Sequence, residues 1–188
     1  MNAARELFAR DGFELARLEE IASVAERTRG ALYANFKDKE DLFFAIFEED
    51  LYRDQEQIEQ ALTKDLTLEE RLEWLVGLVC AKLGDRRRML LSVEFKMYAV
   101  RHPRRQKRLA ELHATMCLRC VVVDAERLLM GERMLTDDER RAQFGQFGAL
   151  MDGLALQRTF DPTSLTEEQV KQQVRAGLRV ALGMQCLA

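Results

Sequence analysis

The sequence contains few prolines, tryptophans, tyrosines and cysteines. Among 188 residues it has two prolines, one tryptophan, three tyrosines and four cysteines. It contains no apolar run close to the roughly eighteen residues that a membrane-spanning helix requires. The N-terminal "MNAARELFAR" lacks the uninterrupted apolar block of a signal peptide. These absences argue against a membrane or secreted protein and predict a cytoplasmic one.

Cysteine content and charge narrow the class of protein further. Without a secretion signal, the four cysteines are predicted to be reduced thiols rather than a disulfide framework. The net charge of -3 argues against non-specific binding of polyanions, although it leaves room for a local basic face. With 47% hydrophobic residues, the chain can bury a core in one large domain or in a small domain joined to a larger one.

Strand signals are almost absent, and apolar residues recur with helical spacing along the chain. Three threonines are each followed three residues later by Glu or Gln, the pattern of a capping box at a helix start. These pairs are Thr67 with Glu70, Thr136 with Glu139, and Thr166 with Gln169. We therefore predict an all-α protein of about nine helices.

The later helix boundaries follow from the two prolines. Pro103 suits the first turn of a long helix that reaches about Met130, and Asp161-Pro162 ends the helix that begins near Thr136. No repeat or long linker divides the chain. The boundary between an N-terminal domain (1–47) and a C-terminal domain (48–188) is therefore predicted to fall within the fourth helix.

The second and third helices, joined by a turn of about three residues, have the form of a helix-turn-helix. In this motif the second helix of the pair enters the DNA major groove. Leu32 and Phe36 are four residues apart and are expected to point inward, which leaves Arg29, Gly30 and Tyr33 on the outer side. A guanidinium and a phenol there can reach phosphates and base edges.

Residues 3–47 resemble the DNA-binding domain of the tetracycline-repressor (TetR) family of bacterial regulators. The resemblance is carried by "AARELFARDGF", "LEEIA" and "RGALYANFKDKEDLF", in the family's order and spacing. It implies a homodimer that inserts its third helices into double-stranded operator DNA. It also implies a helical C-terminal ligand-binding and dimerisation domain. Beyond residue 60 the resemblance is architectural, although "ALMDGLALQRTFDP" is similar to the eighth helix of many members.

Two departures from the family pattern lie at the second helix. Arg17 stands where the family usually has a capping Ser or Thr, and Glu26 and Arg27 replace the common glycine and apolar residue of the turn. The two arginines can contact phosphates, whereas Glu26 near DNA is mildly repulsive. The predicted DNA-binding residues are Arg17, Arg27, Thr28, Arg29, Gly30, Tyr33, Asn35, Lys37 and Lys39.

The charge of the N-terminal domain is low for this role. Residues 1–47 hold seven Lys or Arg and nine Asp or Glu, a net charge of -2, which is unusual for a DNA-binding module. The cations cluster around the turn and the third helix, and the acids can face elsewhere. A further basic run, "RHPRRQKR" (101–108), is open to two interpretations, a nucleic-acid contact or a solvated connector.

The C-terminal domain is rich in Met, Phe and Cys, whose side chains suit a pocket for apolar ligands. The predicted ligand-binding residues are Trp74, Met89, Met97, Tyr98, His113, Met116, Cys117, Phe144, Phe147 and Met151. No cluster of Arg or Lys is predicted to point inward, which argues against a highly anionic effector. His113, Cys117 and Cys120 share a helical face, which leaves a metal site, a thiol sensor and ordinary packing open. A metal would need a fourth ligand, so no metal or other cofactor is predicted.

The predicted function is a ligand-responsive DNA-binding transcriptional regulator. We expect a repressor that is released from its operator by a small apolar or aromatic effector and that dimerises through its last two helices. An enzyme is not predicted, because the sequence has no Glu-x-x-His pair, no Gly-rich phosphate loop and no nucleophile with an obvious base. The alternative is a helical ligand-binding or adaptor protein that has lost DNA binding.

Overall fold

The computed structural model describes residues 1–118, 122–130 and 135–184. Over these ranges the chain forms ten α-helices and no strand, which confirms the all-α prediction. The helices are α1 (Asn2–Asp11), α2 (Leu18–Val24), α3 (Arg29–Asn35), α4 (Lys39–Leu62), α5 (Leu68–Gly84), α6 (Arg86–Arg101), α7 (Pro103–Cys117), α8 (Val123–Met130), α9 (Asp137–Phe160) and α10 (Glu167–Ala181).

The three predicted capping boxes are all present. At Thr67, Thr136 and Thr166 the threonine side chain accepts a hydrogen bond from the third amide of the helix, and the third side chain accepts one from the threonine amide. Each box satisfies two of the amides that a helix start leaves without a partner. The starts of α5, α9 and α10 are therefore set by local sequence alone.

The predicted helix from Pro103 to about Met130 is represented in the described residues by α7 and α8, which are counted separately because residues 119–121 between them are not described. Leu118 and Val122 have the wider geometry of a π-helix. Such geometry inserts an extra residue into a helical turn and shifts the faces that follow. Whether one continuous helix joins α7 to α8 lies outside the described residues, at 119–121.

An aromatic cluster forms the centre of the N-terminal core and crosses the predicted domain boundary. The rings of Phe43 on α4 and Phe95 on α6 stack with their centroids 4.1 Å apart. Phe13 packs edge-on against both, at 5.6 Å and 6.0 Å, and lies 4.6 Å from the ring of Tyr98. Since α4 runs through residue 47, helix α6 completes a core that residues 1–47 begin. The division into 1–47 and 48–188 stays a prediction.

A second core, the C-terminal core, joins the end of α4 to α5, α8, α9 and α10. Helix α10 is held on α5 by ion pairs from Arg175 to Glu73 and from Arg179 to Glu69. It also approaches α9 closely, because a Cβ atom at Gly177 would lie 2.8 Å from a methyl group of Leu150. The last two helices therefore form a rigid pair on the outside of this core.

In the described ranges, no helix combines the length and the apolar composition that crossing a bilayer would need.

Candidate nucleic-acid interface and effector cavity

The outer face of α3 is free of packing, while its inner face is attached to the N-terminal core. Leu32 and Phe36 are half-buried against that core, as the sequence predicts. No residue of α3 is fully buried, and Arg29, Gly30 and Tyr33 are exposed. The helix is thus supported from one side and presents a charged residue, a glycine and an aromatic residue on the other.

The turn between α2 and α3 is a Schellman motif built without glycine. Glu26 has a φ of 52°, in the left-handed region that glycine favours. Its amide donates to the carbonyl of Ser23 at 3.1 Å, and the amide of Arg27 donates to the carbonyl of Ala22 at 2.9 Å, which is the hydrogen-bond pattern of the motif. The turn therefore keeps its geometry but holds Glu26 in a strained backbone conformation.

The start of α2 has the other departure from the family pattern, Arg17 in place of a capping Ser or Thr. Arg17 is the N-cap residue in extended conformation, and its side chain makes no capping hydrogen bond. Arg17 and Arg27 are both exposed on either side of α2. Their guanidinium groups are therefore available to an anion, while the first amides of α2 lack the hydroxyl acceptor that Ser or Thr would provide.

Two of the predicted DNA-binding residues already use their side chains within α3. The Thr28 hydroxyl oxygen accepts from the Ala31 amide at 3.1 Å and so caps the helix. The Asn35 amide donates to the Ala31 carbonyl at 2.7 Å. The Thr28 hydroxyl keeps its proton for a further partner, as a hydroxyl is both donor and acceptor.

Glu19 on α2 organises the exposed face of α3. Its carboxylate lies 3.0 Å from the Arg29 guanidinium and accepts a weak hydrogen bond from the Tyr33 hydroxyl at 3.5 Å. The Arg29 guanidinium also lies over the Tyr33 ring, 5.4 Å from its centroid. The Glu19 carboxylate therefore contacts Arg29 and Tyr33, two of the side chains that are predicted to contact DNA.

Lys39 and Lys37 differ in their surroundings. The Lys39 ammonium donates to the carbonyls of Phe13 and Glu14 at 3.0 Å and 2.6 Å, and burial lowers its pKa. It thereby fastens the loop after α1 to the start of α4, and one of its three protons remains for a further acceptor. Lys37 is exposed at the corner between α3 and α4.

An open groove of about 540 Å³ is lined by four of the nine predicted DNA-binding residues, Arg17, Tyr33, Lys37 and Lys39. The N-termini of α2 and α4 both lie along it, together with Tyr33 and Lys37, and Arg105 of α7 lies at its edge. Helix N-termini expose amide donors and a partial positive charge, both of which favour a phosphate group. The groove is also lined by Glu14, Glu19, Asp38 and Glu40. Three of these acids are paired with arginines and Asp38 caps α4, so the helix N-termini and the exposed cations are the groups that favour a phosphate.

The structure does not gather the ten predicted ligand-binding residues around one described cavity. Trp74, Met89, Phe144, Phe147 and Met151 belong to the C-terminal core or pack on it. The other five are placed elsewhere: Tyr98 is buried in the N-terminal core, Met97 is exposed, and His113, Met116 and Cys117 are half-buried on α7.

A small cavity of about 80 Å³ lies between α4, α6 and α7. His113 is the one predicted ligand-binding residue that lines it; its ring stacks on Phe47 with 4.7 Å between centroids. Burial lowers the pKa of His113 to about 4, so the imidazole is neutral at pH 7 and offers one donor and one acceptor. The remaining lining residues are Phe43, Ile46, Asp50, Arg88, Leu91, Ser92 and Phe95.

The prediction that no basic cluster points inward is wrong. Arg88 donates twice to Asp54, at 3.1 Å and 2.5 Å, and Lys82 lies 3.0 Å from the same carboxylate. Asp54 is almost completely buried, so the two cations serve first to neutralise it. Sequence reasoning missed this cluster because the three residues lie on three different helices, and no local spacing connects them.

Cys120 lies outside the described residues, so the proposed thiol pair with Cys117 is not described. Burial raises the pKa of the Cys80 thiol, which lowers its thiolate fraction at neutral pH. Within the described ranges, no group of three or more His, Cys, Asp or Glu side chains is arranged to hold a metal ion.

Comparison with known families matches both parts of the chain. Residues 1–46 match the model for bacterial regulatory proteins of the tetR family. Residues 68–183 match the model for the C-terminal region of BetI-type transcriptional repressors. The helix-turn-helix and the helical region behind it are therefore matched separately, and together the two matches span most of the chain.

One curated relative and two solved structures illustrate the similarity. The HTH-type transcriptional regulator AcrR of Shigella flexneri is 48% identical over 48 residues, which are 26% of this chain and 22% of that protein. The fatty acid degradation regulator FadR from Bacillus halodurans has a TM-score of 0.69 at 19% identity, covering 98% of this chain and 93% of that one. FadR from Bacillus subtilis, in complex with stearoyl-CoA, has a TM-score of 0.62 at 18% identity, covering 96% and 95%.

The matches to curated proteins and the matches to solved structures support different statements about this chain. The chain covers between 22% and 58% of the length of curated regulators such as AcrR and UidR, so those matches concern only part of each protein. The solved structures are matched over nearly their whole length, but at this low identity they show a shared fold.

We predict that Glu26→Gly stabilises the fold by about 1 kcal/mol, because glycine adopts the left-handed conformation without steric cost. Glu26→Gln removes the charge but keeps the Cβ atom, so its unfolding free energy should stay within about 0.5 kcal/mol of the parent. Urea unfolding of the three proteins measures the difference. Equal stabilisation by Gln and Gly would show that charge, and not backbone strain, is the cost at this turn.

Proposed function

Since the chain belongs to the TetR family of bacterial regulatory proteins and has a BetI-type C-terminal region, we propose that it is a homodimeric transcriptional repressor. It binds operator DNA through α2 and α3 (in the proposed domain 1–47) and is released by a small, mainly apolar effector bound in the domain 48–188. The observation that carries the proposal is the unpacked outer face of α3, which presents Arg29 and Tyr33. Tyr33 lines a groove along which the N-termini of α2 and α4 also lie.

The proposed DNA contacts divide into two kinds. Arg29 and Gly30, near the N-terminus of α3, approach the base edges, where a guanidinium can bind guanine. Tyr33 and Lys37 contact the phosphates, with Arg17, Arg27, Thr28, Asn35 and Lys39 as the remaining predicted contacts. Phosphate contacts set the register of the protein on DNA, and base contacts supply the sequence preference. Arg29 must exchange Glu19 for a base when DNA binds, because the two form an ion pair in the free protein.

We expect Tyr33→Ala to weaken binding to operator and unrelated DNA alike, by roughly 1 to 2 kcal/mol, through loss of a phosphate contact. The DNA segment upstream of its own gene is the first probe, titrated in an electrophoretic mobility shift or fluorescence anisotropy assay.

Tyr52→Ala is the matched control, since Tyr52 is also an exposed tyrosine but lies on the second half of α4. Unchanged affinity in Tyr33→Ala would mean that α3 does not contact the DNA backbone. A parent protein that binds neither duplex would favour the alternative function, a helical ligand-binding or adaptor protein without DNA binding.

The proposed dimer uses the exposed face of α9 and α10. Gly145, Ala149 and Gly153 are exposed at four-residue intervals on α9, and a Cβ atom at either glycine would meet no other atom within 4 Å. The stripe continues into Leu156 and Phe160, which are 52% and 85% exposed. Exposed apolar residues in a row are unusual on a monomer and fit an interface with a second copy of the chain. Small side chains let the two α9 helices approach closely.

Ala149→Glu should convert the dimer to a monomer, because a two-fold axis places the new carboxylate close to its own copy in an apolar contact. Light scattering at micromolar concentration measures the mass. Ala110→Glu adds the same charge at an exposed alanine of α7, which packs on α4 and α6, and should leave the mass unchanged. If Ala149→Glu is a dimer like the parent, the interface lies elsewhere.

The small cavity between α4, α6 and α7 is the proposed entry point of the effector. Its volume of about 80 Å³ is far below the several hundred Å³ of a typical ligand pocket. A ligand must therefore separate α4 from α6 and α7 in order to bind. Because α4 begins in the N-terminal core, that separation moves the recognition helices. Effector and DNA then weaken one another's binding by the same factor, typically about 5- to 150-fold.

The lining of the cavity agrees with a mainly apolar effector that carries a polar group. Phe43, Phe47 and Phe95 form its apolar wall, while neutral His113 and Ser92 provide hydrogen-bonding atoms. Asp50 and Arg88 also line the cavity, and they are engaged by Arg5 and Asp54 respectively. The solved structure of Bacillus subtilis FadR is a complex with stearoyl-CoA, so this fold accommodates at least one ligand with a long apolar chain. Long-chain acyl compounds therefore belong in a first screen, beside aromatic ones.

We predict that Ser92→Leu fills the cavity and abolishes the effector response without loss of DNA binding. Compounds from the screen that raise the melting temperature of the parent and release it from DNA should do neither with this variant. Phe147→Trp is the comparison, because Phe147 is a predicted ligand-binding residue that packs on the C-terminal core instead. If Phe147→Trp removes the response and Ser92→Leu keeps it, the effector binds among the residues of that core.

A further inference from the structure

Residues 101–108 at the end of α6 and the start of α7, here called the basic junction, concentrate positive charge beside a domain that lacks it. They contain five Lys or Arg and no acid, whereas residues 1–47 have two more acids than Lys or Arg residues. The five cations are Arg101, Arg104, Arg105, Lys107 and Arg108, and all of them are exposed. The whole chain has a net charge of -3, so this is a local excess.

The basic junction is fastened to the DNA-binding domain at the start of α4. The Glu40 carboxylate is buried and accepts hydrogen bonds from Arg105 at 2.6 Å, from Tyr98 at 3.0 Å, and from Arg108. Arg105 also donates to the Tyr98 hydroxyl at 2.8 Å. Helix α4 is therefore connected at its second residue to both α6 and α7.

A second, weaker attachment lies at the loop after α1. Glu14 is 3.6 Å from Arg101 and 3.7 Å from His102. The same loop leads to Arg17 at the start of α2, and Arg105 shares the open groove with Arg17 and Lys37. The basic junction therefore borders the groove in which the helix N-termini and Tyr33 offer a site for phosphates.

Two cations of the junction have no acidic partner. Arg104 and Lys107 are exposed, make no ion pair in the described part of the chain, and lie three residues apart, on one face of α7. Arg101, Arg105 and Arg108 are partly neutralised by Glu14 and Glu40. Arg104 and Lys107 therefore add positive charge beside Arg105, the residue of the junction that lines the groove.

We propose that the basic junction is a second DNA-binding element, in which Arg104 and Lys107 contact phosphates of the duplex beside the segment held by α2, α3 and α4. The inference rests on the proposed function, because it places the junction along the same DNA. It gives the interface a net positive charge, which the first 47 residues do not have. A continuous basic surface is the usual electrostatic footprint of a DNA-binding protein.

The junction also gives the effector a direct influence on DNA contacts. His113, about two turns further along α7, lines the small cavity, so α7 carries a cavity residue and the proposed phosphate contacts on one helix. When an effector separates α4 from α7, the two sets of phosphate contacts no longer keep the spacing of one DNA backbone. Binding at both elements is then lost together.

The test is the double variant Arg104→Gln/Lys107→Gln, with the affinity for DNA measured at several salt concentrations. Each lost phosphate contact should make the slope of log K against log salt concentration shallower by about 0.9, so a loss of up to about 2 per subunit is expected. The affinity should fall by the same factor for the DNA upstream of its own gene and for a duplex of unrelated sequence, because phosphates carry no sequence information.

Arg86→Gln/Arg87→Gln is the matched control, with the same change of charge. Both arginines are exposed and make no ion pair among the described residues. They lie at the opposite end of α6, which at 16 residues is about 24 Å long. This variant should keep the slope of the parent, and thermal unfolding should show that both double variants are folded.

The outcomes separate the inference from the proposed function. If the parent binds DNA and the two double variants have the same slope, the basic junction is a solvated connector and the inference is wrong. If the parent does not bind DNA at all, the proposed function fails. A shallower slope in Arg104→Gln/Lys107→Gln alone supports the second DNA-binding element.

Discussion

The stacking of Phe43 on Phe95 is the contact on which the rest of the arrangement depends, because it makes one core out of two segments that are distant in sequence. Phe43 belongs to the helix that follows the helix-turn-helix, and Phe95 belongs to α6 behind it. A buried aromatic pair tolerates little displacement, since protein interiors are close-packed and respond to strain by switching between discrete arrangements. The position of α4, and with it that of α3, is therefore tied to the packing of Phe43 against α6.

The same region contains ionic contacts at the start of α4. Glu40 holds the start of α4 against Tyr98 and Arg105, a short distance along the helix from Phe43. The cavity lined by Ser92 and His113 lies on the far side of the aromatic pair from these ion pairs. In the proposed mechanism, a ligand that enters the cavity separates apolar side chains, while the ionic contacts around Glu40 stay in place. Both the cavity lining and Glu40 are on α4, so the proposal connects the cavity to the start of that helix.

Local sequence patterns predict the structural features that depend only on residues close together in the chain. The capping boxes at Thr67, Thr136 and Thr166 were identified because each is complete within four residues. The inner face of α3 was predicted for the same reason. The aromatic cluster and the convergence of Lys82 and Arg88 on Asp54 were not predicted, since they join helices whose relative positions follow from packing alone. Tyr98 shows the limit well: its aromatic ring suggested a ligand pocket, but its hydroxyl and ring are both used at the domain junction.

Glu19 gives the free protein an internal substitute for a phosphate. Its carboxylate contacts the same guanidinium and phenol that DNA would engage. In the proposed complex, Arg29 must leave Glu19 before it can contact a base. The correct base replaces the lost ion pair with hydrogen bonds to the guanidinium, whereas a wrong base does not. Weak binding to the great excess of unrelated sites in a genome matters as much as tight binding to one, because those sites compete for the protein. If the proposed contacts form, a carboxylate at this position lowers the affinity for unrelated DNA and so improves discrimination between sites.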